Sequence, residues 1–371
     1  MMRYLMATPV LAASVALASD PPRYSVEVIG ALDPQSPNGT LSLPLGLNNN
    51  GRVVGYGSTP ESPTNILNYK WGAINATGAV PGSAGSFGSR VNIRGRIAGT
   101  ASFADQNGTI IGSHAIRWYA RQPQNLGTLG GNYSAGVSID DSDRIVGYST
   151  LPGDSQTRAF IWQNGLMSQL PSPAGATETY ANDISNTGYI VGTAAGPGAA
   201  KPYMWTNGVI SPLPIPTGAR TGGANAVNTA GQAVGTYEVN QFTGEFAAVS
   251  WLNGQMQDLG FLGGSLRYSA AADVNNLGQI VGTSNSTNGF TGFIWFDGAM
   301  YDLRLLLVPG FGTFEITSAQ AINDRGQIAA GALINGRTTA ILLSPVTTFI
   351  PTPGSMAVLL GAGLLALRRR R

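Results

Sequence analysis

The sequence predicts an all-β protein, a seven-bladed β-propeller closed by its N-terminal strand pairing in the last blade, followed by a short C-terminal hydrophobic helix. Three observations predict this fold. A short motif containing Asn and Gly recurs seven times, a Trp follows six of the seven copies, and an unpaired strand pattern, Tyr24–Ile29, precedes the first copy. Repeats of about 40 to 50 residues are typical of propeller blades.

The repeated motif is an apolar residue, Asn, two variable residues, Gly, two further residues, an apolar residue and a second Gly, and its copies lie 43 to 48 residues apart. Asn and Gly tolerate positive φ, which a tight hairpin turn requires. In one copy Asp143 replaces the first Gly, and Asp tolerates positive φ better than most residues. In the other copies this Gly is Gly51, Gly95, Gly188, Gly231, Gly278 and Gly326.

Each repeat contains four strand patterns, which is the size of a propeller blade. A β-helix needs shorter coils of evenly spaced strands and fits less well. An open solenoid needs capping repeats at both ends, and the sequence offers no capping pattern. In the clearest repeat the four strand patterns are Ala270–Val274, Gln279–Thr283, Phe293–Phe296 and Ala299–Leu303.

The last repeat stops after its third strand pattern, Thr339–Leu343. If Tyr24–Ile29 supplies the missing fourth strand, the ring closes and no long edge strand stays exposed. The two ends of the chain therefore predict one closed domain over residues 24–345.

The repeated tryptophans recur in register within an apolar strand, which favours a place in the blade core. The alternative is a ring of aromatic side chains that stack on carbohydrate. The last repeat has Leu343 at the equivalent place. The tryptophans are Trp71, Trp118, Trp162, Trp205, Trp251 and Trp295.

The composition excludes several kinds of chemistry. The chain has no Cys and a single His, His114, which excludes disulfides, thiolate metal sites, cysteine nucleophiles and His-based metal clusters. His114 has no neighbouring acid and no G-x-S-x-G motif accompanies it, so it is weak support for a catalytic triad. The glycine-rich segment Gly127–Gly131 lacks a following Lys-Ser/Thr, which excludes a P-loop.

The charge balance gives no indication of nucleic-acid binding. Arg3 and Arg368–Arg371 are five of the 21 basic residues, and without them 16 basic residues stand against 19 acidic ones. The predicted domain is therefore mildly acidic although the whole chain has a formal charge of +2, and we expect no nucleic-acid partner.

The N-terminus has the pattern of a secretory signal peptide over residues 1–18. Arg3 provides the positive charge, an apolar run follows it, and Ala16–Ala18 is an A-x-A cleavage pattern. The alternative is a buried N-terminal helix.

The C-terminus predicts a linker with a sorting motif over residues 346–355, then an apolar helix and an arginine tail over 356–371. The twelve apolar residues Met356–Leu367 extend about 18 Å as a helix, whereas a bilayer core needs about 20 residues. This length favours a transient signal that is cleaved, with an ordinary short anchor as the alternative. The arginines are expected to stay cytoplasmic.

This C-terminus resembles the PEP-CTERM sorting signal of Gram-negative bacteria, a Pro-Glu-Pro motif followed by a short apolar helix and an arginine cluster. Thr352 stands where that signal has Glu. The resemblance implies transient inner-membrane insertion, an exosortase-type processing enzyme as partner, and transfer to the cell envelope or exterior. The implied signal residues are Pro351, Thr352, Pro353, Gly354, Arg368, Arg369, Arg370 and Arg371.

The repeats resemble the HAF repeat family of bacterial extracellular proteins over roughly residues 40 to 345. Ala159–Trp162 matches its aromatic strand, and Asn125–Gly131 and Asp258–Gly264 match its glycine segment. The resemblance implies an extracytoplasmic location and a repeat architecture, and it implies no reaction mechanism.

The sequence offers one weak candidate for a metal site. Asp140, Asp141 and Asp143 form its densest acidic cluster, and three carboxylates could bind Ca²⁺. The alternative is the ordinary turn of the repeat, with Asp in both key places. No residue is predicted to be catalytic, no cofactor is expected, and no carboxylates are paired as glycoside hydrolysis requires.

These patterns predict an exported, non-enzymatic cell-surface or extracellular-matrix protein that binds polysaccharide, such as an exopolysaccharide, or another envelope component. The alternative is a propeller enzyme, a hydrolase or a lyase, that acts on extracellular glycans. The ligand is inferred by analogy with the architecture and the sorting signal.

Overall fold

The strands follow from the alternation of apolar and polar residues in each repeat. The computed structural model describes residues 20–30, 41–58, 65–70, 72–78, 80–240, 243–310 and 314–346. The predicted signal peptide at 1–18, the sorting residues Pro351–Arg371 and Trp71 lie outside these ranges. Within them no helix has the length and apolar character needed to span a membrane.

The described residues form 28 strands, which we group into units 1 to 7 after the seven sequence repeats. Unit 1 contains β2 (Ser42–Leu47), β3 (Val53–Gly57), β4 (Asn65–Lys70) and β5 (Ala73–Ala76). Unit 2 contains β6 (Gly85–Val91), β7 (Ile97–Ala104), β8 (Ile110–Tyr119) and β9 (Gln122–Asn125). Unit 3 contains β10 (Ser134–Ile139), β11 (Ile145–Thr150), β12 (Thr157–Gln163) and β13 (Leu166–Gln169).

The later repeats have the same arrangement. Unit 4 contains β14 (Glu178–Ile184), β15 (Ile190–Gly196), β16 (Ala199–Thr206) and β17 (Val209–Pro212). Unit 5 contains β18 (Gly222–Val227), β19 (Ala233–Asn240), β20 (Glu245–Leu252) and β21 (Gln255–Asp258). Unit 6 contains β22 (Ser269–Val274), β23 (Ile280–Ser286), β24 (Gly289–Phe296) and β25 (Ala299–Asp302). Unit 7 contains β26 (Glu315–Ile322), β27 (Ile328–Ile334) and β28 (Arg337–Val346).

Unit 7 obtains its fourth strand from the other end of the chain. β1 (Arg23–Gly30) pairs antiparallel with β28, with Val26 opposite Leu343, and the sheet order is β1-β28-β27-β26. The other strands pair with their neighbours in sequence, and a parallel pair between Thr157 and Glu178 joins the sheets of units 3 and 4. The first strand of each unit contacts the first strand of the next, and β26 contacts β2. The fold is therefore all-β and of the propeller type.

Both faces of each sheet are buried because the second strand carries two apolar residues in succession. Side chains of successive strand residues point to opposite faces. Val53 packs in a cluster with residues of unit 7, including Ala321 and Ala329, whereas Val54 packs in a cluster with Ile97 and other residues of unit 2. All seven apolar clusters are shared in this way between two successive units.

The tryptophans belong to these clusters, which confirms the predicted core position for four of them. Trp118, Trp162, Trp205 and Trp251 are buried, and Trp295 is half-buried. In unit 1, however, Tyr69 stands opposite Val53, where Trp118 stands opposite Ile97 in unit 2. Trp71, the tryptophan assigned to unit 1, lies outside the described residues.

The hairpin turn of the motif adopts the conformation that the sequence predicts. Asp143 has φ of 72°, and Gly95 in the preceding unit has φ of 77°. The second Gly of the motif is needed for a different reason. A Cβ on Gly282 would lie 2.0 Å from the main-chain oxygen of Ala270, so a side chain there would displace the neighbouring strand.

The pairing of β1 with β28 gives a first prediction, at Tyr24 in β1. This side chain is fully buried in the cluster that units 6 and 7 share, and its hydroxyl has no hydrogen-bond partner. We expect Tyr24→Ala to lower the free energy of unfolding by about 3 kcal/mol or more, because it leaves a large cavity. The matched control Tyr24→Phe removes only the unsatisfied hydroxyl and should equal or exceed the wild type.

Urea unfolding followed by tryptophan fluorescence measures both variants. A Tyr24→Ala variant as stable as the wild type would contradict the role of β1 in completing the sheet of unit 7.

Candidate functional site

The channel between the first strands of the seven units is the best candidate for a functional site. Each of these strands has a β-bulge, for example at Asn182, between Ala181 and Asp183. A bulge re-aims side chains and bends the strand. The bulge residues line one end of the channel, and in four units the residue after the bulge lines the other end, as Arg90, Ser138, Asp183 and Asp273 do. The bulge residues are Leu45, Ser89, Val137, Asn182, Asn225, Ala272 and Gln320, and they line a cavity of about 410 Å³.

The opposite, turn end of the channel holds a smaller cavity. A cavity of about 160 Å³ there is lined by residues of all seven units. Its lining includes the charged side chains of Arg90, Asp183 and Asp273, which lie on the strands that lead into the turns. This volume is below the roughly 300–1,000 Å³ of typical small-molecule sites. Arg90 also lines the cavity at the bulge end.

The turn end is held by a series of asparagine side chains, one from the motif of each of five units. In each turn the Asn Oδ1 accepts two N–H groups of its own turn, as Asn275 does from Leu277 and Gln279. Its Nδ2 donates to the main-chain oxygen of the equivalent residue in the next unit. These links run Asn48 to Asn92 (2.7 Å), Asn92 to Asp140, Asn228 to Asn275, Asn275 to Asn323 and Asn323 to Asn48 (3.0 Å each).

The series is interrupted where the motif lacks Asn, at Asp140 of unit 3 and Ser185 of unit 4. A carboxylate bridges the interruption. Asp183 Oδ1 accepts from Ser138 Oγ of unit 3 at 2.6 Å, and Asp183 Oδ2 accepts from the Val227 N–H of unit 5 at 2.9 Å. Burial raises the pKa of Asp183, and the charge of Arg90 and these hydrogen bonds oppose the rise.

Asp273 links units 6 and 7 in the same way, since its Oδ2 accepts from the Ile322 N–H at 2.9 Å. Arg90 Nη2 lies 3.8 Å from Asp273 Oδ1, and because these residues belong to units 2 and 6, the ion pair spans the channel. Burial, with the neighbouring charge of Asp183, raises the pKa of Asp273 to about 6 against the opposing charge of Arg90. Arg90 also donates to the Leu45 main-chain oxygen.

The channel charges were missed by the sequence analysis, although a signal was present. The residue two places before the motif Asn is small in four units, and it is charged in units 2, 4 and 6. Aligning the repeats on Asn would have exposed this column, which reads Gly46, Arg90, Ser138, Asp183, Ala226, Asp273 and Ala321.

The three aspartates considered for a metal site have separate partners. Asp140 accepts from the N–H groups of its own turn and pairs with Arg144 at 2.6 Å. Asp141 accepts from the Asn186 amide of unit 4, and Asp143 pairs with Arg96 and Arg117. The described residues contain no group of three or more His, Cys, Asp or Glu side chains arranged to hold a metal.

His114 lies on β8 and its ring contacts an amide and an aromatic ring. Its Nδ1 is 2.7 Å from Asn125 Nδ2, and its ring centroid is 5.1 Å from that of Phe103. Burial lowers the pKa of His114, and the Asn125 hydrogen bond opposes this. These contacts give it no carboxylate to orient it and no hydroxyl to activate.

Together the sheets and the channel define a propeller-type protein. No protein-family model and no curated protein matches the sequence. A puromycin-hydrolysing peptidase of Mycobacterium tuberculosis is similar in structure with a TM-score of 0.54 at 12% identity, over 83% of this chain and 51% of that one.

Two further solved structures are similar. The acylaminoacyl peptidase of Pyrococcus horikoshii has a TM-score of 0.50 at 12% identity, over 82% of this chain and 50% of its own. The WD40 β-propeller domain of Doa1 has a TM-score of 0.46 at 13% identity, over 88% and 98%. The chain spans about half the length of the two peptidases, and at such identities the likeness concerns the fold alone.

The asparagine links give a second prediction. Asn323→Asp keeps the acceptor for the Arg325 and Gln327 N–H groups and removes the donor to Asn48. It also places a charge at a buried position. We expect the free energy of unfolding to fall by about 1–3 kcal/mol at neutral pH, because a buried carbonyl loses its partner. Urea unfolding measures the change, and an unaltered midpoint would contradict the role of the link.

Asp273 gives a third prediction. The folded protein holds the Asp273 proton up to about pH 6, whereas the unfolded chain loses it near pH 4. The folded state thus binds more protons between these values, so the contribution of Asp273 to the free energy of unfolding falls as pH rises. Relative to Asp273→Asn, the wild type should lose about 2 kcal/mol of stability between pH 4 and pH 7.

Asp154→Asn is a control of opposite sign. Hydrogen bonds from Thr150 and Asn132 lower the pKa of the Asp154 carboxyl, so the advantage of the wild type over this variant should grow as pH rises. A wild-type advantage over Asp273→Asn that is constant with pH would contradict the raised pKa.

Proposed function

We propose that this chain is an exported, non-enzymatic cell-surface or extracellular-matrix protein, and that its seven units form one closed seven-bladed propeller that binds a polysaccharide or another envelope component. What supports the ring is the contact between units 7 and 1. They share an apolar cluster, and the Asn323 amide of unit 7 binds the Asn48 carbonyl of unit 1.

The observation that carries the non-enzymatic proposal is the use of the channel carboxylates. Asp183 and Asp273 each accept a main-chain N–H from the following unit, so their lone pairs hold neighbouring units together. A catalytic acid or base must exchange protons with substrate instead. If either carboxylate gave up its hydrogen bond to react with a substrate, a contact between two units would be lost.

The alternative, a propeller hydrolase or lyase acting on extracellular glycans, is favoured by one feature. The raised pKa of Asp273, about 6, lies in the range useful for general acid–base catalysis near neutral pH. Reducing-end release from extracellular glycans distinguishes the two. Turnover that Asp273→Asn abolishes, without a loss of folding, would favour the enzyme and defeat the non-enzymatic proposal.

Export and sorting supply the fourth prediction. The full chain should reach the envelope or exterior through an exosortase-type enzyme after transient inner-membrane insertion. A chain ending before Pro351 should be exported and lose envelope attachment. The matched variant Thr352→Glu restores the usual Pro-Glu-Pro and should be processed at least as well as the wild type. Fractionation with immunoblotting measures location and cleavage.

Unchanged envelope attachment after truncation at Pro351 would contradict the sorting proposal. Retention of the full chain inside the cell would contradict the export proposal as well.

A further inference from the structure

A cavity of about 350 Å³ lies between units 1 and 2 at the turn end of the domain, and we name it the basic pocket. Four cationic side chains line it, Arg52 and Lys70 from unit 1 and Arg94 and Arg121 from unit 2. Among the described residues that line it there is no carboxylate. The described domain is otherwise mildly acidic, so this concentration of positive charge is local.

Other units have a neutral residue at the place of Arg52. Arg52 directly follows the motif Gly, and its guanidinium packs against the next turn, since a Cβ on Gly95 would lie 3.3 Å from Arg52 Cζ. In units 5, 6 and 7 the same place is occupied by Gln, and Gln232 packs against Gly278 in the same manner. A neutral amide thus satisfies the fold, and the arginine is an addition specific to units 1, 2 and 3.

The neighbouring gap, between units 2 and 3, has its charge neutralised. Arg96 and Arg117 both pair with Asp143, and Arg144 pairs with Asp140. In the basic pocket Arg52 donates to the neutral Asn68 amide, and burial lowers the pKa of Arg52. A partly desolvated guanidinium without a carboxylate in its cavity attracts an external anion.

The remaining lining suits a sugar acid. The Tyr119 ring is 55% exposed and lies under the Arg96 guanidinium, 4.9 Å from Cζ to ring centroid. An exposed aromatic ring offers an apolar surface to a sugar ring. Asn68 adds an amide group to the lining, and arginine forks match carboxylates in bidentate geometry.

We propose that the basic pocket binds uronic acid residues of an acidic polysaccharide, an inference that rests on the proposed polysaccharide-binding function. The carboxylates pair with Arg52 and Arg94, and a sugar ring packs on Tyr119. Such binding weakens as salt screens the charges.

Calorimetric titration of the purified mature protein with polygalacturonate, and with neutral dextran of matched length, tests this proposal. We expect binding to polygalacturonate alone, weakened several-fold between 50 and 300 mM NaCl. Arg52→Gln, which inserts the residue native to units 5 to 7, and Arg94→Glu should each weaken it at least about tenfold, as expected when a charged contact is lost. The matched control is Arg325→Glu. Arg325 occupies in unit 7 the turn position that Arg94 has in unit 2, and this variant changes the net charge by the same amount as Arg94→Glu.

The proposed site is overturned if Arg325→Glu weakens polygalacturonate binding as much as Arg94→Glu does. It is also overturned if single-stranded DNA binds as tightly as polygalacturonate. Glycan binding that Arg52→Gln and Arg94→Glu leave intact would overturn this inference and leave the proposed function standing. If the protein binds neither glycan and no exopolysaccharide of the organism that makes it, the proposed polysaccharide-binding function is itself overturned.

Discussion

The fold depends on one repeated interaction, the hydrogen bond from a motif asparagine to the main-chain oxygen of the next unit. Asn can make it because its Oδ1 satisfies the N–H groups of its own turn while its Nδ2 remains available as a donor. The bond from Asn323 to Asn48 joins residues 275 positions apart. Each bond is buried at the turn end of the channel, where an unpaired donor or acceptor costs free energy that water cannot restore.

Departures from the motif are compensated close by. Asp140 lacks the amide donor, and its second oxygen pairs with Arg144 instead. The missing links around unit 4 are replaced by Asp183, which binds Ser138 on one side and Val227 on the other. A charge buried in a channel costs free energy unless it is hydrogen-bonded, so these carboxylates are best understood as inter-unit contacts. In the gap between units 1 and 2, arginine stands where units 5 to 7 have glutamine, and no carboxylate lines the cavity there among the described residues.

The sequence predicted the repeats, the turn conformation and the core tryptophans, because each depends on local conformation or on strict periodicity. It also predicted that Tyr24–Ile29 would supply the strand that unit 7 lacks, since an incomplete unit at one end and a spare strand at the other have few other partners. The place that Trp118 takes in unit 2 is taken by Tyr69 in unit 1, because pairing decides the register within a hairpin and sequence spacing does not. The charged column of Arg90, Asp183 and Asp273 was overlooked, since nothing local distinguishes a channel-facing residue from a solvent-facing one.

By itself the sequence determined which residues turn and which residues are buried, because these follow from φ preferences and from the two-residue alternation of strands. The tertiary structure decided which side chains from different units meet. Arg90 Nη2 of unit 2 lies 3.8 Å from Asp273 Oδ1 of unit 6, and Arg52 and Arg94 line one cavity between units 1 and 2. Both arrangements depend on how neighbouring twisted sheets pack, and such distances between remote residues are set only when the units are assembled.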